Sequence, residues 1–311
     1  MSIVRTEAYF NSSTGENKIR TLIWKDDKLT PIGVFQIAHG MAEHIERYDE
    51  FASFLASNGF VVCGNDHLGH GKSVNALSDL GFFAEENGDK RLVDDMHILT
   101  VIMKNKYPDL PYFLFGHSMG SFCARVYTTH FGYELNGVIY CGTGELPAMA
   151  STLQMPMDKL TEKLGANSSA DSLGNTFNFL CNLMVPDRQG KLSWLSSDTQ
   201  NQEKYQNDSL CGFNLKLGGY RDLFALANEA SREGWADAVP ENLPIMIISG
   251  AKDPVGFNGK GVLSVADNLV LSGKEPTVVL YPGDRHEILN EADKEIVFND
   301  ILSWLNSIYI S

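Results

Sequence analysis

Short apolar runs recur along the chain at Gly33 to Ala38, Phe60 to Asn65, Pro111 to Phe115, Gly137 to Cys141, Pro244 to Gly250 and Thr277 to Tyr281. Runs of that length suit parallel strands buried on both faces. Val4 to Phe10 and Lys18 to Trp24 predict two further strands ahead of them. Helical stretches are predicted between the runs at Tyr48 to Ser57, Asp89 to Lys106, Met119 to Thr129, Gly259 to Leu271 and Glu291 to Ile308. In the second of these, Leu92, Met96, Leu99 and Met103 keep to one face. Strand–helix alternation of this kind predicts a doubly wound, mostly parallel α/β sheet, with ligands at the carboxyl ends of the strands.

The alternation lapses between about Gly144 and Trp235, where loop-like runs such as Gly165-Ala-Asn-Ser-Ser-Ala appear. The expectation is a core of residues 1–143 and 236–311 with a mainly helical cap inserted at 144–235. Its apolar residues include Met149, Leu153, Met155, Met157, Leu160, Phe177, Phe179, Leu180, Leu183, Met184 and Trp194. Flexible methionines suit a channel for varied acyl chains. Ordinary packing of cap on core is the competing reading for many of these side chains.

Gly116-His-Ser-Met-Gly120 carries the clearest chemistry. It lies between a predicted strand and a predicted helix, the setting in which Gly-x-Ser-x-Gly forms a sharp turn that exposes the serine hydroxyl. A serine needs a base within hydrogen-bond reach, and in this scaffold an acid and then a histidine follow it along the chain. Only His130 and His286 lie downstream of Ser118. His130 would be carried about 18 Å away along the outgoing helix, which leaves His286, in the turn after the last predicted strand. Asp253 follows the strand ending at Gly250 and is the expected orienting acid. Asp284 is its rival, but two positions of one tight turn seldom face each other. The N–H groups of Met119 and of Met41, in the loop after Gly33 to Ala38, are the expected donors to an oxyanion.

With His39-Gly-Met-Ala-Glu-His44, Arg47-Tyr48, Asn65-Asp-His-Leu-Gly-His-Gly-Lys-Ser73 and the Asp253 and His286 loops, the sequence resembles the α/β-hydrolases over nearly its whole length. Within them it resembles the monoglyceride lipase and lysophospholipase-like branch, with serine aminopeptidase-type domains. That resemblance implies ester hydrolysis through an acyl-enzyme on Ser118, with no metal and no cofactor, and a structural role for the Asp66–Ser73 turn. It also places Glu43 and Arg47 near the polar end of a substrate. Read as residues alone, they are a surface ion pair four apart on a helix, worth a few tenths of a kcal/mol.

Gly71-Lys-Ser73 imitates the end of a phosphate-binding loop, but Asp66 stands where its first glycine belongs. Asp66, His67 and His70 lack a fourth metal ligand at a recognised spacing, and His39 and His44 do not form His-Glu-x-x-His. Cleavage of amino-acyl amides is an alternative activity, requiring a cap carboxylate such as Glu145, Asp158, Glu162 or Asp208 to meet a free ammonium. A non-catalytic ligand-binding role is a second alternative, opposed by an intact Ser, Asp and His set.

Composition narrows the partners. A net charge of −14 argues against nucleic acid and against anionic membrane surfaces. No apolar run approaches 18 residues and no basic, apolar leader opens the sequence, so neither membrane insertion nor export is expected. Of the five cysteines, Cys63, Cys123 and Cys141 sit in apolar surroundings. They are expected to be buried thiols of a cytoplasmic protein. A small acyl ester is the expected ligand.

Overall fold

The computed structural model describes residues 2–145 and 147–310, with side chains except at 147–151 and 309–310. Eight strands form one sheet: β1 (Ile3–Asn11), β2 (Lys18–Asp26), β3 (Gly33–Ala38), β4 (Phe60–Asn65), β5 (Tyr112–His117), β6 (Gly137–Cys141), β7 (Ile245–Gly250) and β8 (Thr277–Tyr281). Their spatial order is β1-β2-β4-β3-β5-β6-β7-β8. β1 and β2 pair antiparallel, as do β2 and β4, and every later neighbour is parallel. All residues of β3, β4, β5, β6 and β7 are buried, as unbroken apolar runs require when both faces are covered.

Helices supply that cover. α1 (Asp49–Ser57) and α9 (Lys294–Ile310) lie on one face, where Phe51, Leu55, Phe298 and Ile301 pack against Phe35, Phe113 and Phe115. α2 (Gly88–Lys106), α3 (Met119–Phe131) and α8 (Lys260–Leu271) lie on the other, where Met96, Cys123 and Val265 join Val34, Leu114 and Val138. The four helices α4 (Pro147–Leu164), α5 (Asp171–Leu183), α6 (Thr199–Asn207) and α7 (Leu217–Ala230) fall between β6 and β7 in the chain. Cys63, Cys123 and Cys141 are buried free thiols. Among the described residues no helix is long and apolar enough to cross a membrane.

Two glycines let β3, β5 and α3 meet closely enough to shape the turn after β5. A Cβ on Gly116 would lie 2.1 Å from the Gly120 carbonyl oxygen, and one on Gly120 would lie 2.2 Å from that of Ala38. Neither contact admits a side chain, so the motif's glycines are a packing requirement of the strand–helix corner.

Candidate active site

Ser118 occupies the corner between β5 and α3 with φ 54° and ψ −120°. That left-handed backbone is costly for a residue with a Cβ and persists only where its surroundings hold it. Here its N–H donates to Cys141 O on β6 at 2.9 Å, while its carbonyl accepts from Ser121 N at 2.8 Å. The sheet and the first turn of α3 thus fix the corner from both sides.

His286 follows β8, and its Nδ1 lies 2.9 Å from Asp253 Oδ2 in the loop after β7. Asp253 is fully buried, its Oδ1 accepting from Val255 N at 2.8 Å and its Oδ2 also from Ser249 Oγ at 3.2 Å. Burial opposes its charge, but His286 and these donors prevail and hold the carboxyl below its ordinary range. For His286, burial disfavours the imidazolium, and Asp253, Glu287 and Glu43 together outweigh it, so its pKa lies above 6.5. His117 beside it is pushed down to about 3 by burial and by His286.

Ser118 and His286 line one cavity together with Gly40, Met41 and Glu43 of the β3 loop. Phe177, Trp194, Leu195 and Phe213 from the segment between β6 and β7 form its apolar side. Trp194 packs on the His286 ring at a centroid distance of 5.3 Å. The N–H of Met119 opens α3, and that of Met41 follows Gly40; neither donates to a protein acceptor among the described residues. Among the described residues no hydrogen bond or ion pair joins Asp284 to His286, whose Nδ1 meets Asp253 instead. The Asp284 carboxyl is raised to about 7 by burial and by the neighbouring Asp293 and Glu291.

Two expectations are corrected. Glu43 and Arg47 form no surface pair: Glu43 is 3 % exposed and the Arg47 side chain 10 %. Glu43 precedes a 3₁₀ turn at Ile45–Tyr48 instead of lying on a helix, and this turn folds the pair inward behind the cavity. Glu43 accepts from Gly40 N at 2.6 Å, Arg47 Nη1 at 2.8 Å and Tyr48 Oη at 2.8 Å. Arg47 also bonds both oxygens of Glu287, one of them at 2.7 Å. Nor do the described methionines of residues 144–235 line the cavity. Met157 is buried in the main core, Met155 is 64 % exposed and Met184 lines a separate hollow, while Met149 lies outside the described side chains. Phe179, Leu180 and Leu183 are likewise exposed. Apolar content marked the segment, but the packing of α4 against α7 decides which faces turn inward.

Glu287, Asn201 and Tyr205 are the polar residues that sequence reasoning did not pick out. Asn201 Nδ2 donates to Glu287 Oε2 at 2.7 Å, and Tyr205 Oη donates to Ala42 O at 2.9 Å. α6 is thereby fastened both to the His286 loop and to the Met41 loop. Arg47 holds Glu287 ionised down to about 2 against the cost of burial, whereas burial and the Glu287 charge push Glu43 upward. The only hint in the sequence was an acid directly after the histidine. Of the cap carboxylates, Glu145 pairs with Arg125 and Asp208 with His44, and none of Glu145, Asp158, Glu162 and Asp208 lines the cavity. His44, Asp208 and Cys211 bring a nitrogen, an oxygen and a sulfur donor within 4.8 Å of one another at its edge.

Strand order, the corner at Ser118 and the Asp253–His286 pair define an α/β-hydrolase of the serine-hydrolase class. Residues 30–293 match the family described as serine aminopeptidase, S33, and the chain belongs to that family. It is 26 % identical to a monoacylglycerol lipase of Mycolicibacterium smegmatis, the alignment covering 99 % of both chains. It is 28 % identical to the monoglyceride lipase of Mus musculus, over 91 % of this chain and 84 % of the relative. The crystal structure of a highly thermostable carboxyl esterase from Bacillus coagulans, in complex with glycerol, superposes with a TM-score of 0.92. That esterase shares 32 % identity, with 98 % of this chain and 99 % of the other covered.

Proposed function

We propose that the protein hydrolyses carboxylic esters of apolar acyl chains, monoacylglycerols and lysophospholipids among them, through an acyl-enzyme on Ser118. The observation that carries this reading is one cavity with Ser118 and His286 at its floor and Phe177, Trp194, Leu195 and Phe213 along one side. The acyl chain lies along those side chains, and the carbonyl sits over Ser118. Residues 144–235 act as the cap that shields it from water. The lipase and esterase relatives support the same substrate class.

In the mechanism, His286 takes the Ser118 proton as the hydroxyl attacks the acyl carbon. Asp253 keeps the ring oriented through the 2.9 Å Nδ1 contact and stabilises the imidazolium that forms. The N–H groups of Met41 and Met119 receive the negative oxygen of the tetrahedral species. His286 then gives its proton to the leaving alcohol. Water attacks the acyl-enzyme with His286 again as base, and the acid leaves. Glu43 steadies the Met41 loop through the Gly40 N–H, and Arg47 locks Glu43 to the His286 loop.

The test is turnover of monoacylglycerols of graded length, lysophospholipids, short chromogenic esters and amino-acyl amides, with Ser118→Ala as blank. Preference for the longer esters is expected. Preference for the amides would overturn the ester reading; among the described residues no carboxylate of residues 144–235 lines the cavity, which counts against the amides.

A further inference from the structure

His44 and Asp208 belong to different parts of the fold. His44 ends the loop after β3, and Asp208 and Cys211 lie just beyond α6. Nevertheless His44 Nε2 is 2.8 Å from Asp208 Oδ2, and one ligand atom from each of His44, Asp208 and Cys211 lies within 4.8 Å of the others. Among the described residues this is the one grouping of three such side chains with metal-ligand spacing. We propose that His44, Asp208 and Cys211 form a binding site for a divalent zinc-type cation, joining the Met41 loop to the segment after α6.

The donor set selects the metal. One imidazole, one carboxylate and one thiolate are borderline-to-soft ligands that suit zinc better than magnesium or calcium, which prefer oxygen alone. Three protein ligands leave a fourth tetrahedral position for water. Ligands at zinc bond lengths lie about 3.5 Å apart, so the His44 nitrogen and Asp208 oxygen, now 2.8 Å apart, must open slightly while the Cys211 sulfur closes by up to about an ångström. Half-exposed Asp208 and Cys211 sit at the end of a short helix, where small rotations can provide it. Asp208 is already oriented, its Oδ1 accepting from Leu210 N at 2.9 Å.

Binding replaces the His44–Asp208 hydrogen bond. The ring proton moves from Nε2 to Nδ1, freeing the Nε2 lone pair; Nδ1 is buried without a partner among the described residues, so its proton stays unpaired there at a cost that the metal bond must exceed. Cys211 binds as thiolate and releases its proton to solvent. Burial first opposes ionisation of that thiol, Arg47 favours it, and the charges of Glu43, Asp208 and Glu287 add to the opposition. His44 faces Asp208, Glu46, His39 and His70. Two positive charges on the metal offset the carboxylate and the thiolate.

The site sits where it can act on the cavity. Gly212 N, one residue after Cys211, donates to Ala42 O at 2.9 Å, and Ala42 follows Met41. A bound ion would add a second link between the same two loops, and it would stabilise the folded chain because the unfolded chain holds no such site.

The experiment titrates reduced, tag-free Ser118→Ala protein with Co2+ and then Zn2+. That background keeps the result independent of the ester reading. One equivalent of Co2+ is expected, with a sulfur-to-metal charge-transfer band that Zn2+ displaces, and Zn2+ should raise the unfolding temperature. Cys211→Ser should remove the band, and Cys211→Ser, His44→Gln and Asp208→Asn should each weaken binding at least tenfold while far-UV dichroism stays unchanged. Equal binding by Cys211→Ser, or a Co2+ spectrum without the sulfur band, would overturn the site. If His44→Gln does not fold, Asp208→Asn and Cys211→Ser decide the question together: wild-type affinity in both refutes the proposal.

Discussion

Arg47 meets both carboxylate oxygens of Glu287, the residue that follows His286 in the chain. A bidentate guanidinium–carboxylate pair is geometrically demanding, and this one is buried. Its partners are 240 residues apart, so it fixes the His286 loop against the loop that carries Met41. Arg47 also holds Glu43, which makes it, among the described residues, the cation that pairs with both buried carboxylates. Removing a partner from such an arrangement costs about 3–5 kcal/mol because the remaining charge stays buried. Arg47→Met should therefore lower the unfolding temperature strongly at pH 7 and recover part of the loss under mild acid, as Glu43 and Glu287 take up protons. Calorimetry at two pH values checks it; an unchanged melting temperature at both would contradict the assigned role of Arg47.

The same pair bears on the pH dependence of turnover. In the proposed mechanism His286 must be neutral to accept the Ser118 proton, so activity should rise as the imidazolium loses its proton. Its pKa is held above 6.5, against burial, by Asp253 first and then by Glu287 and Glu43. Taking away a negative charge destabilises the imidazolium and moves the acid limb of kcat/KM to lower pH. Glu287→Gln should shift the limb downward. A limb that stays put while the protein remains folded would mean that Glu287 acts only as a brace.

Ser118→Ala should abolish measurable turnover, a loss of at least four orders of magnitude, since the members of such a site act as a unit. Asp253→Asn should cost about 10⁴-fold by leaving the ring in the wrong tautomer, and the remaining activity should show an acid limb below that of the native enzyme. Single-turnover release of a chromogenic leaving group, followed across pH, reads both variants. Activity near the native level in Ser118→Ala would move the nucleophile elsewhere.

The sheet was readable from the chain because fully buried strands leave continuous apolar runs; the predicted bounds of β3, β4 and β6 are those of the structure. Ser118, Asp253 and His286 were readable because each stands at the end of a strand, where local order and chain order suffice. Glu43 and Arg47 were recognisable as a pair from their spacing, but their burial depends on Glu287 and Asn201, which no local pattern connects to them. The region from α4 to α7 was the least legible. An apolar residue such as Phe179 can face solvent there while Phe177, two residues earlier, lines the cavity. Helical periodicity identifies faces without saying which partner each face will meet.

Gly40 is crowded on the side facing the serine. A Cβ there would lie 3.2 Å from Ser118 Cβ, 3.2 Å from His117 Cδ2 and 2.8 Å from Glu43 Oε1. The side chain would have to push the Met41 N–H away from the oxyanion position proposed for it. Gly40→Ala should lower kcat tenfold or more with a smaller change in KM, because the donor matters most in the transition state. A KM effect without a kcat effect would place the loop in substrate binding instead.

Behind that loop lies a group of buried imidazoles. The His39 ring is 4.3 Å from His67 and 5.2 Å from His70, centroid to centroid. Burial, and then the mutual proximity of the rings, pushes His67 down to about 3; burial pushes His70 to about 4, and His39 is also well below its ordinary value. The unfolded chain, with histidines near 6.5, binds protons that the folded chain refuses, so stability is lost as pH falls from about 6.5 toward 4. Carboxylates such as Glu287, whose folded pKa of about 2 is depressed, add to the loss only below about 4.5. Asp284, raised to about 7, and Asp222, raised to about 6, take up protons in the folded chain over the same interval and act in the opposite direction, so the histidine contribution is read as the difference between the native protein and a histidine variant. The unfolding temperature should already decline across that interval, and replacing His67 by Asn, which has no titratable ring, should flatten the decline. An identical pH dependence of the melting temperature in the native protein and in His67→Asn would show that the His67 ring accepts protons without cost to the fold.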